Sequence, residues 1–306
     1  MKRKVMKIAD TTFVVSLPLK WAKAHNLKKG DEIEIAEEGS NLRIISDTSV
    51  PSIKKGTFDA HNFNPIIKRA FDAMYKAGYD EIKVSFASAE ELNEIESSVN
   101  NEAMSFEIIK QDKDSCVVKS ITEATGEDFD AMLRRTFMMI HVMGEDLLKA
   151  IKENDMKTIS YITNLEKTNN KFTHYLRRYL NKKGYHDPSK TNLIYTLVEQ
   201  LETIADEFKY LCQFLTDKRN QSIRLSDTTL LLFESLNKNI DLFSNLFFDF
   251  KVNKAVEFHA RHKELVDSGI EFFQTKPAKE VVIIHYLVNI EKMCFDLLGP
   301  ILACNL

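Results

Sequence analysis

The alternation of apolar and polar residues divides the chain into a short β-rich start and a long helical remainder. Near the N-terminus, short apolar runs and period-two alternation are typical of half-buried strands. Four strands are predicted, at 5–8, 13–17, 33–35 and 42–44. Pro18 begins a short helix between the two pairs, and the polar stretch 38–41 predicts a hairpin turn. Residues 1–47 therefore form a small β-rich unit.

This unit is too short to bury a good core by itself. A domain below about 50 residues is usually marginal without disulfides, a metal or a partner chain. Residues 1–47 contain no cysteine and no obvious set of metal ligands. We therefore expect the unit to pair with a second copy of itself.

Helical and strand-like segments alternate in the middle of the chain. Residues 46–61 are rich in Ser, Thr, Pro and Gly, which predicts a linker. The spacing then predicts a helix over 63–77, a strand over 82–86, a helix from Ser88 or Ala89, and a hairpin of 106–110 with 116–121. Together they predict a small α/β module over 57–123. Nothing in this module suggests chemistry.

Helical spacing continues through residues 127–306. Breaks near 153–155, 183–188, 218–226, 250–253 and 274–277 predict six helices. Two of them, the third helix of each set of three, have apolar stripes that advance by three and four residues, as in helix bundles. The segment is therefore predicted to be an all-α bundle of two three-helix repeats, which makes the chain multidomain α+β.

Charge is unevenly distributed, although the net charge of −3 is small. Residues 1–29 contain eight Lys or Arg against one acidic residue, whereas residues 30–47 contain six acidic residues against Arg43. A dimer would bring two copies of the basic segment together, and such a surface attracts phosphate backbone. A solvated, solubilising surface would have the same composition.

Cysteine usage and hydropathy indicate the compartment. The four cysteines, Cys116, Cys212, Cys294 and Cys304, form no CxxC pair and are expected to be free thiols. The sequence has no 18-residue apolar run and no signal-peptide pattern. We expect a cytoplasmic protein that does not insert into a membrane.

The stretch "FVVSLPLKWAKAHNLKKGDEIEI" resembles the AbrB/MazE/SpoVT DNA-binding domain. The resemblance covers about residues 2–46 and rests on Ser-Leu-Pro at 16–18, Lys-Trp-Ala-Lys at 20–23 and Lys-Gly-Asp at 29–31. It implies a swapped-hairpin β-barrel in which two chains interlace their strands. It also implies that DNA is contacted by the basic residues at matching positions, which are Arg3, Lys4, Lys7, Lys20 and Lys23.

The second candidate site is a row of carboxylates in the bundle. Glu199, Glu202 and Asp206 follow one face of a predicted helix, and Glu202 and Asp206 lie one turn apart. Two carboxylates at this spacing can hold a divalent cation. The alternative is a solvated acidic face in which Asp206 pairs with Lys209.

The Glu202 to Asp206 spacing, in the third helix of a set of three, also resembles the ExxxD motif of PhoU-type phosphate regulators. That resemblance implies acidic metal sites in both repeats. The second repeat has Glu291, but Phe295 stands where the second acid belongs, and Asn169 and Asn170 stand where the family tends to be acidic. We therefore predict no cofactor beyond one weakly bound divalent metal ion per chain.

The order of the three parts resembles the archaeal-type phosphate-uptake regulators, which implies a dimeric DNA-binding transcription regulator linked to phosphate homeostasis. The alternative is a protein-interaction regulator of a phosphate transporter ATPase or a sensor kinase, in which the N-terminal unit only dimerises. An antitoxin-like protein whose helical part binds another chain is a third reading. No Gly-rich phosphate loop, GxSxG or HExxH is present, so no enzyme is predicted.

Overall fold

A computed structural model describes residues 2–8, 11–38, 41–45, 53–122, 125–220 and 223–306. The chain is mostly helical, with a small β-rich region at its N-terminus and a helical C-terminal body, as predicted. It divides into two compact units, Met1–Lys54 and Lys55–Leu306. Within the described ranges, no helix is long and apolar enough to cross a membrane.

The first unit consists of two antiparallel hairpins and one short helix. Strands β1 (Val5–Ile8) and β2 (Thr12–Val15) pair with each other, as do β3 (Glu34–Glu38) and β4 (Asn41–Ile45). Helix α1 (Leu19–Ala24) follows Pro18, whose fixed φ suits the start of a helix. The predicted turn at 38–41 includes residues 39 and 40, which lie outside the described residues.

The second unit begins with a four-stranded sheet covered by two helices. Its elements are β5 (Lys55–Asp59), α2 (Ile67–Lys76), β6 (Glu81–Ser85), α3 (Ala89–Asn101), β7 (Phe106–Gln111) and β8 (Ser115–Ser120). The strand order is β5-β6-β8-β7. The β5–β6 pair is parallel, which requires the crossover that α2 provides, and the other pairs are antiparallel.

The prediction of a linker over 46–61 is wrong for its second half, because β5 lies within it. Only Phe58 of this strand points a large apolar side chain into the core, so the strand has no apolar alternation. Gly56 lies so close to Met74 and Tyr79 that a Cβ atom there would come within 2.6 Å of both side chains. Helix α2 begins four residues later than predicted, after Pro65 restricts the preceding backbone to an extended form.

Seven helices follow in the described part of the C-terminal body. They are α4 (Gly126–Glu153), α5 (Met156–Lys183), α6 (Thr191–Thr216), α7 (Asp227–Phe248), α8 (Val252–Thr275), α9 (Ala278–Asp296) and α10 (Leu298–Asn305). Sequential helices contact each other within α4–α6 and within α7–α9, and the pairs α4/α7 and α6/α9 join the two sets. The predicted sixth helix is broken at Leu297, because Pro300 has no N–H group to continue the helix across this point.

Helix α5 connects the sheet to the bundle. The sheet with α2 and α3 has one apolar core, and the helical body has a separate one. Helices α2 and α3 contact α5 on one side, while α4 and α6 contact it on the other. Residues 173–178 are therefore buried in succession, on every face of the helix.

Candidate nucleic-acid interface and buried charge clusters

The five predicted DNA-contacting residues are all exposed on the first unit. Arg3 and Lys4 precede β1, Lys7 lies on β1 opposite Phe13, and Lys20 and Lys23 lie on α1. Because Lys20 and Lys23 are three residues apart on a helix, they share one face. This face of α1 can therefore present two cations to one phosphate backbone.

The local sequence explains why α1 stops where it does. The amide of His25 donates to the carbonyl of Trp21, and the rings of these two residues lie 4.6 Å apart. Asn26 and Gly30 both have positive φ, at 51° and 98°, which is most readily adopted by Asn and Gly. The amide of Lys28 donates to Asp31 at 2.7 Å, so this turn leads the chain back towards β3. The helix is thus a fixed, short element rather than the start of a longer one.

The described part of the first unit contains no buried core. Among its described side chains none is buried, and large apolar residues that would normally be internal are exposed. Phe13 is 70% exposed and Leu19 is 68% exposed. The other large apolar residues exposed on β1 to β4 are Val5, Met6, Ile8, Val15, Ile35 and Leu42. An apolar surface of this extent on so small a unit marks an interaction site.

In the second unit, Glu202 is held by α5. Its Oε2 atom accepts hydrogen bonds from Thr173 Oγ1 at 2.9 Å and from Arg177 Nη2, and it lies 3.6 Å from His174 Nε2. Burial by itself would raise the pKa of Glu202. The proximity of His174 and the charge of Arg177 outweigh burial and lower that pKa to about 2.

Asp206 has a different partner. Lys209 Nζ lies 2.5 Å from Asp206 Oδ1 and 2.9 Å from Glu166 Oε1, so one ammonium group bridges a carboxylate of α6 and a carboxylate of α5. Glu166 also accepts from Asn170 Nδ2 at 2.6 Å. Burial alone would lower the pKa of Lys209, but its hydrogen bonds to Asp206 and Glu166 raise that pKa. Burial raises the pKa of Glu166.

Glu202 and Asp206 therefore belong to two neighbouring ion-pair clusters on the α5–α6 interface. Each carboxylate faces a cation from the chain itself. Within the described residues, no group of three or more His, Cys, Asp or Glu side chains is arranged to hold a metal ion. The divalent ion at Glu202 and Asp206 stays a prediction.

The second repeat has a related arrangement. Glu291 of α9 is fully buried, and its Oε1 lies 3.2 Å from Nδ1 of His262 on α8. The ring of Phe295 stacks on His262 with centroids 3.8 Å apart. Glu291 and Phe295 thus occupy, in the second repeat, the places of Glu202 and Asp206. As in the first repeat, the carboxylate faces a basic side chain. Here the ring of Phe295 covers that basic side chain.

A further buried charge on α5, Arg178, is not predicted by the sequence. The basic stretch 176–184 is typical of a solvated helix C-terminus, yet Arg178 is buried. Its guanidinium donates to the carbonyl oxygens of Tyr75 and Tyr79, at 3.0 and 2.5 Å, and to Asp80 Oδ1 at 2.7 Å. Arg178 is buried because α5 packs against α2. The helical pattern of one segment carries no information about such a contact.

Comparison with known proteins gives one match. Residues 7–54 match a family model described as antidote-toxin recognition MazE, bacterial antitoxin. No curated protein and no solved structure matches the chain. Domains of the MazE/AbrB type bind DNA and dimerise, and such a domain suggests a DNA-binding or antitoxin-like regulator. The chain thus carries a MazE/AbrB-type domain at its N-terminus.

Proposed function

We propose that this protein is a dimeric DNA-binding transcription regulator, in which two copies of the N-terminal unit contact DNA and the helical body senses or contacts partners in phosphate homeostasis. The observation that carries the proposal is the first unit itself. It matches a DNA-binding, dimerising domain class, it exposes a basic set of side chains, and it has no buried side chain in its described part.

The exposed apolar residues support the dimer. Burying apolar surface stabilises by about 25 cal/mol per Å², so leaving residues such as Phe13, Leu19 and Leu42 in water is unfavourable. A second copy presents the same apolar residues, so the two copies can bury them against each other across a two-fold interface. Interlaced hairpins, as the resemblance implies, would bury them between the two chains.

The distribution of charge supports DNA as the ligand. In a dimer, the eight Lys or Arg of residues 1–29 are present twice. Contacts of Lys and Arg with phosphates position a protein on DNA but do not read the base sequence. Binding through Arg3, Lys4, Lys7, Lys20 and Lys23 is therefore expected to depend mainly on backbone charge and local DNA shape.

The direct test is fluorescence anisotropy with a labelled duplex at low salt. A Lys20→Gln, Lys23→Gln variant should bind at least tenfold more weakly, because the dimer loses four cations. A Lys167→Gln, Lys171→Gln variant in α5 is the matched control and should bind like the wild type. Sedimentation shows whether each variant is still a dimer. Equal binding by all three proteins would refute the assignment of the interface.

The link to phosphate rests on the order of the three parts and on the resemblance of the bundle to PhoU-type regulators. Genome-wide mapping of bound DNA in phosphate-rich and phosphate-starved cells tests it. We expect occupancy near phosphate-uptake genes to change between the two conditions. Occupancy that is the same in both would leave a DNA-binding regulator without the phosphate link.

A second candidate function is an antitoxin, which the description of the matching family favours. In that case the protein should form a stable complex with a toxic partner encoded beside it. Size-exclusion chromatography of the co-expressed pair, together with relief of growth arrest, distinguishes the two functions. A complex that relieves arrest would favour the antitoxin, and the regulator predicts neither result.

A further inference from the structure

The carboxylates at the α5–α6 interface are neutralised by side chains of the same chain. Glu166 of α5 is 4% exposed, and Lys209 and Asp206 of α6 complete its cluster. A buried carboxylate is unfavourable unless it is paired and hydrogen-bonded. A cation at this position therefore stabilises the charged form of Glu166, whatever the source of that cation.

Lys209 occupies the position that a bridging cation would need. Its ammonium group contacts one carboxylate oxygen from each helix, at 2.9 Å for Glu166 Oε1 and 2.5 Å for Asp206 Oδ1. A divalent ion bound by the same two carboxylates would have to lie between them as well. The two cations therefore compete for one place.

Glu202 is similarly engaged one turn away. Its Oε2 atom already accepts from Thr173 and Arg177 and lies near His174. A metal ion at this oxygen would have to displace a guanidinium that is itself almost completely buried. The guanidinium of Arg177 is also held by Glu199, whose Oε1 lies 3.5 Å from Arg177 Nη1.

The two asparagines that follow Glu166 on α5, Asn169 and Asn170, add no charge for a metal ion. Asn169 is completely buried one turn after Glu166, and neither its Nδ2 nor its Oδ1 has a hydrogen-bond partner among the described residues. Hard divalent ions prefer several oxygen ligands, most of them charged. The residues of this site therefore do not fit the metal clusters that the PhoU resemblance implies.

The second repeat agrees with the first. The place of Asp206 is taken by Phe295, which cannot ligate a cation, and its ring covers His262. Glu291 Oε1 has His262 as its partner. In both repeats, a basic side chain on the second helix of the set faces the glutamate on the third.

We propose that Lys209 and Arg177 take the place of a divalent cation in the first repeat, so that the helical body folds without metal and Lys209 blocks a latent site formed by Glu166 and Asp206. Removing the ammonium group leaves the two carboxylates free to share a divalent ion in its place. The proposal does not depend on DNA binding and can fail separately from it.

The test is thermal unfolding of the full chain, followed by circular dichroism at 222 nm, with EDTA and then with millimolar MnCl2. The Lys209→Met variant removes the charged end of the side chain and keeps an apolar stem of similar shape, and Lys167→Met, at an exposed position of α5, is the matched control. Wild type and control should unfold at the same temperature in both buffers. The Lys209→Met variant should unfold at a lower temperature in EDTA and regain roughly 5 °C with Mn²⁺.

Two results would overturn the proposal. A wild-type protein that loses stability in EDTA and regains it with Mn²⁺ would show that a metal ion is part of its folded state. A Lys209→Met variant that folds but gains nothing from Mn²⁺ would show that no latent site exists. If Lys209→Met does not fold, Lys209→Gln replaces it, and the wild-type result alone can still refute metal-free folding.

Discussion

Arg178 offers the sharpest test of how the α/β module is attached to the helical body. The change is Arg178→Ala in α5. It removes three hydrogen bonds, two to the last carbonyls of the α2 region and one to Asp80. It also removes a guanidinium that lies 5.1 Å from the ring centroid of Tyr75 and 4.8 Å from that of Phe106.

The expected loss follows from these contacts. Hydrogen bonds to a charged group contribute about 1.5–3 kcal/mol each, and breaking a buried ion pair costs about 3–5 kcal/mol. Asp80 keeps Lys182 as a second partner, so its own charge is not left unpaired. We therefore expect Arg178→Ala to destabilise the contact by about 3–5 kcal/mol. Arg178→Lys keeps a charge but cannot reach three acceptors, and should cost about 2 kcal/mol.

Hydrogen exchange followed by mass spectrometry measures this loss locally. A loss of 3 kcal/mol or more corresponds to exchange that is at least about a hundredfold faster for protected amides of residues 72–80. Amides of the stripe on α6 should change much less, because the bundle keeps its own core. The control Lys167→Ala should leave both regions unchanged. Unchanged exchange over 72–80 in Arg178→Ala would refute this account of the junction.

Two further predictions concern the bundle. Gly144→Ala should destabilise by about 1–3 kcal/mol in urea unfolding, because the new Cβ would lie 2.5 Å from Asn237 Oδ1. Gly299→Ala is the matched helix position with nothing within 4 Å, and it should be neutral or stabilise by up to about 1 kcal/mol. Glu202→Gln tests the low pKa of this carboxyl. A pKa of about 2 in the folded chain, against 4.5 in the unfolded chain, contributes about 3 kcal/mol to the free energy of unfolding above pH 4.5. This stability is lost as the pH falls towards 2, so the gap in unfolding free energy between wild type and variant should narrow over that range.

The regular elements could be predicted because each has its own periodic pattern. Strand β1 begins and ends where predicted, and the helices of the bundle follow the predicted breaks closely. Strand β5 could not be predicted from its pattern, because Gly56 fits against neighbouring side chains and only Phe58 is apolar and buried. The apolar spacing of the last stripe continues past Leu297, where the helix is broken because Pro300 has no N–H group to donate to residue 296.

The candidate sites were predictable to different degrees. The exposed cations of the first unit could be found because they cluster in the sequence. The carboxylates Glu202 and Asp206 were found by spacing, and so was the pair of Asp206 with Lys209 on the same helix. The contributions of Arg177 and Glu166 were not found, because both residues come from another helix. The burial of Arg178 could not be predicted from its basic surroundings in the sequence, because it depends on packing against the α/β module.

The central claim is that the basic residues of the N-terminal unit bind the DNA backbone, and the salt dependence of binding tests it most directly. The measurement is the slope of log affinity against log salt for wild type and the Lys20→Gln, Lys23→Gln variant. Each phosphate contact contributes about 0.9 to the slope, so the variant dimer should lose up to about 3.6. A wild-type protein that does not bind duplex DNA at low salt, or a variant with the wild-type slope, would contradict the account.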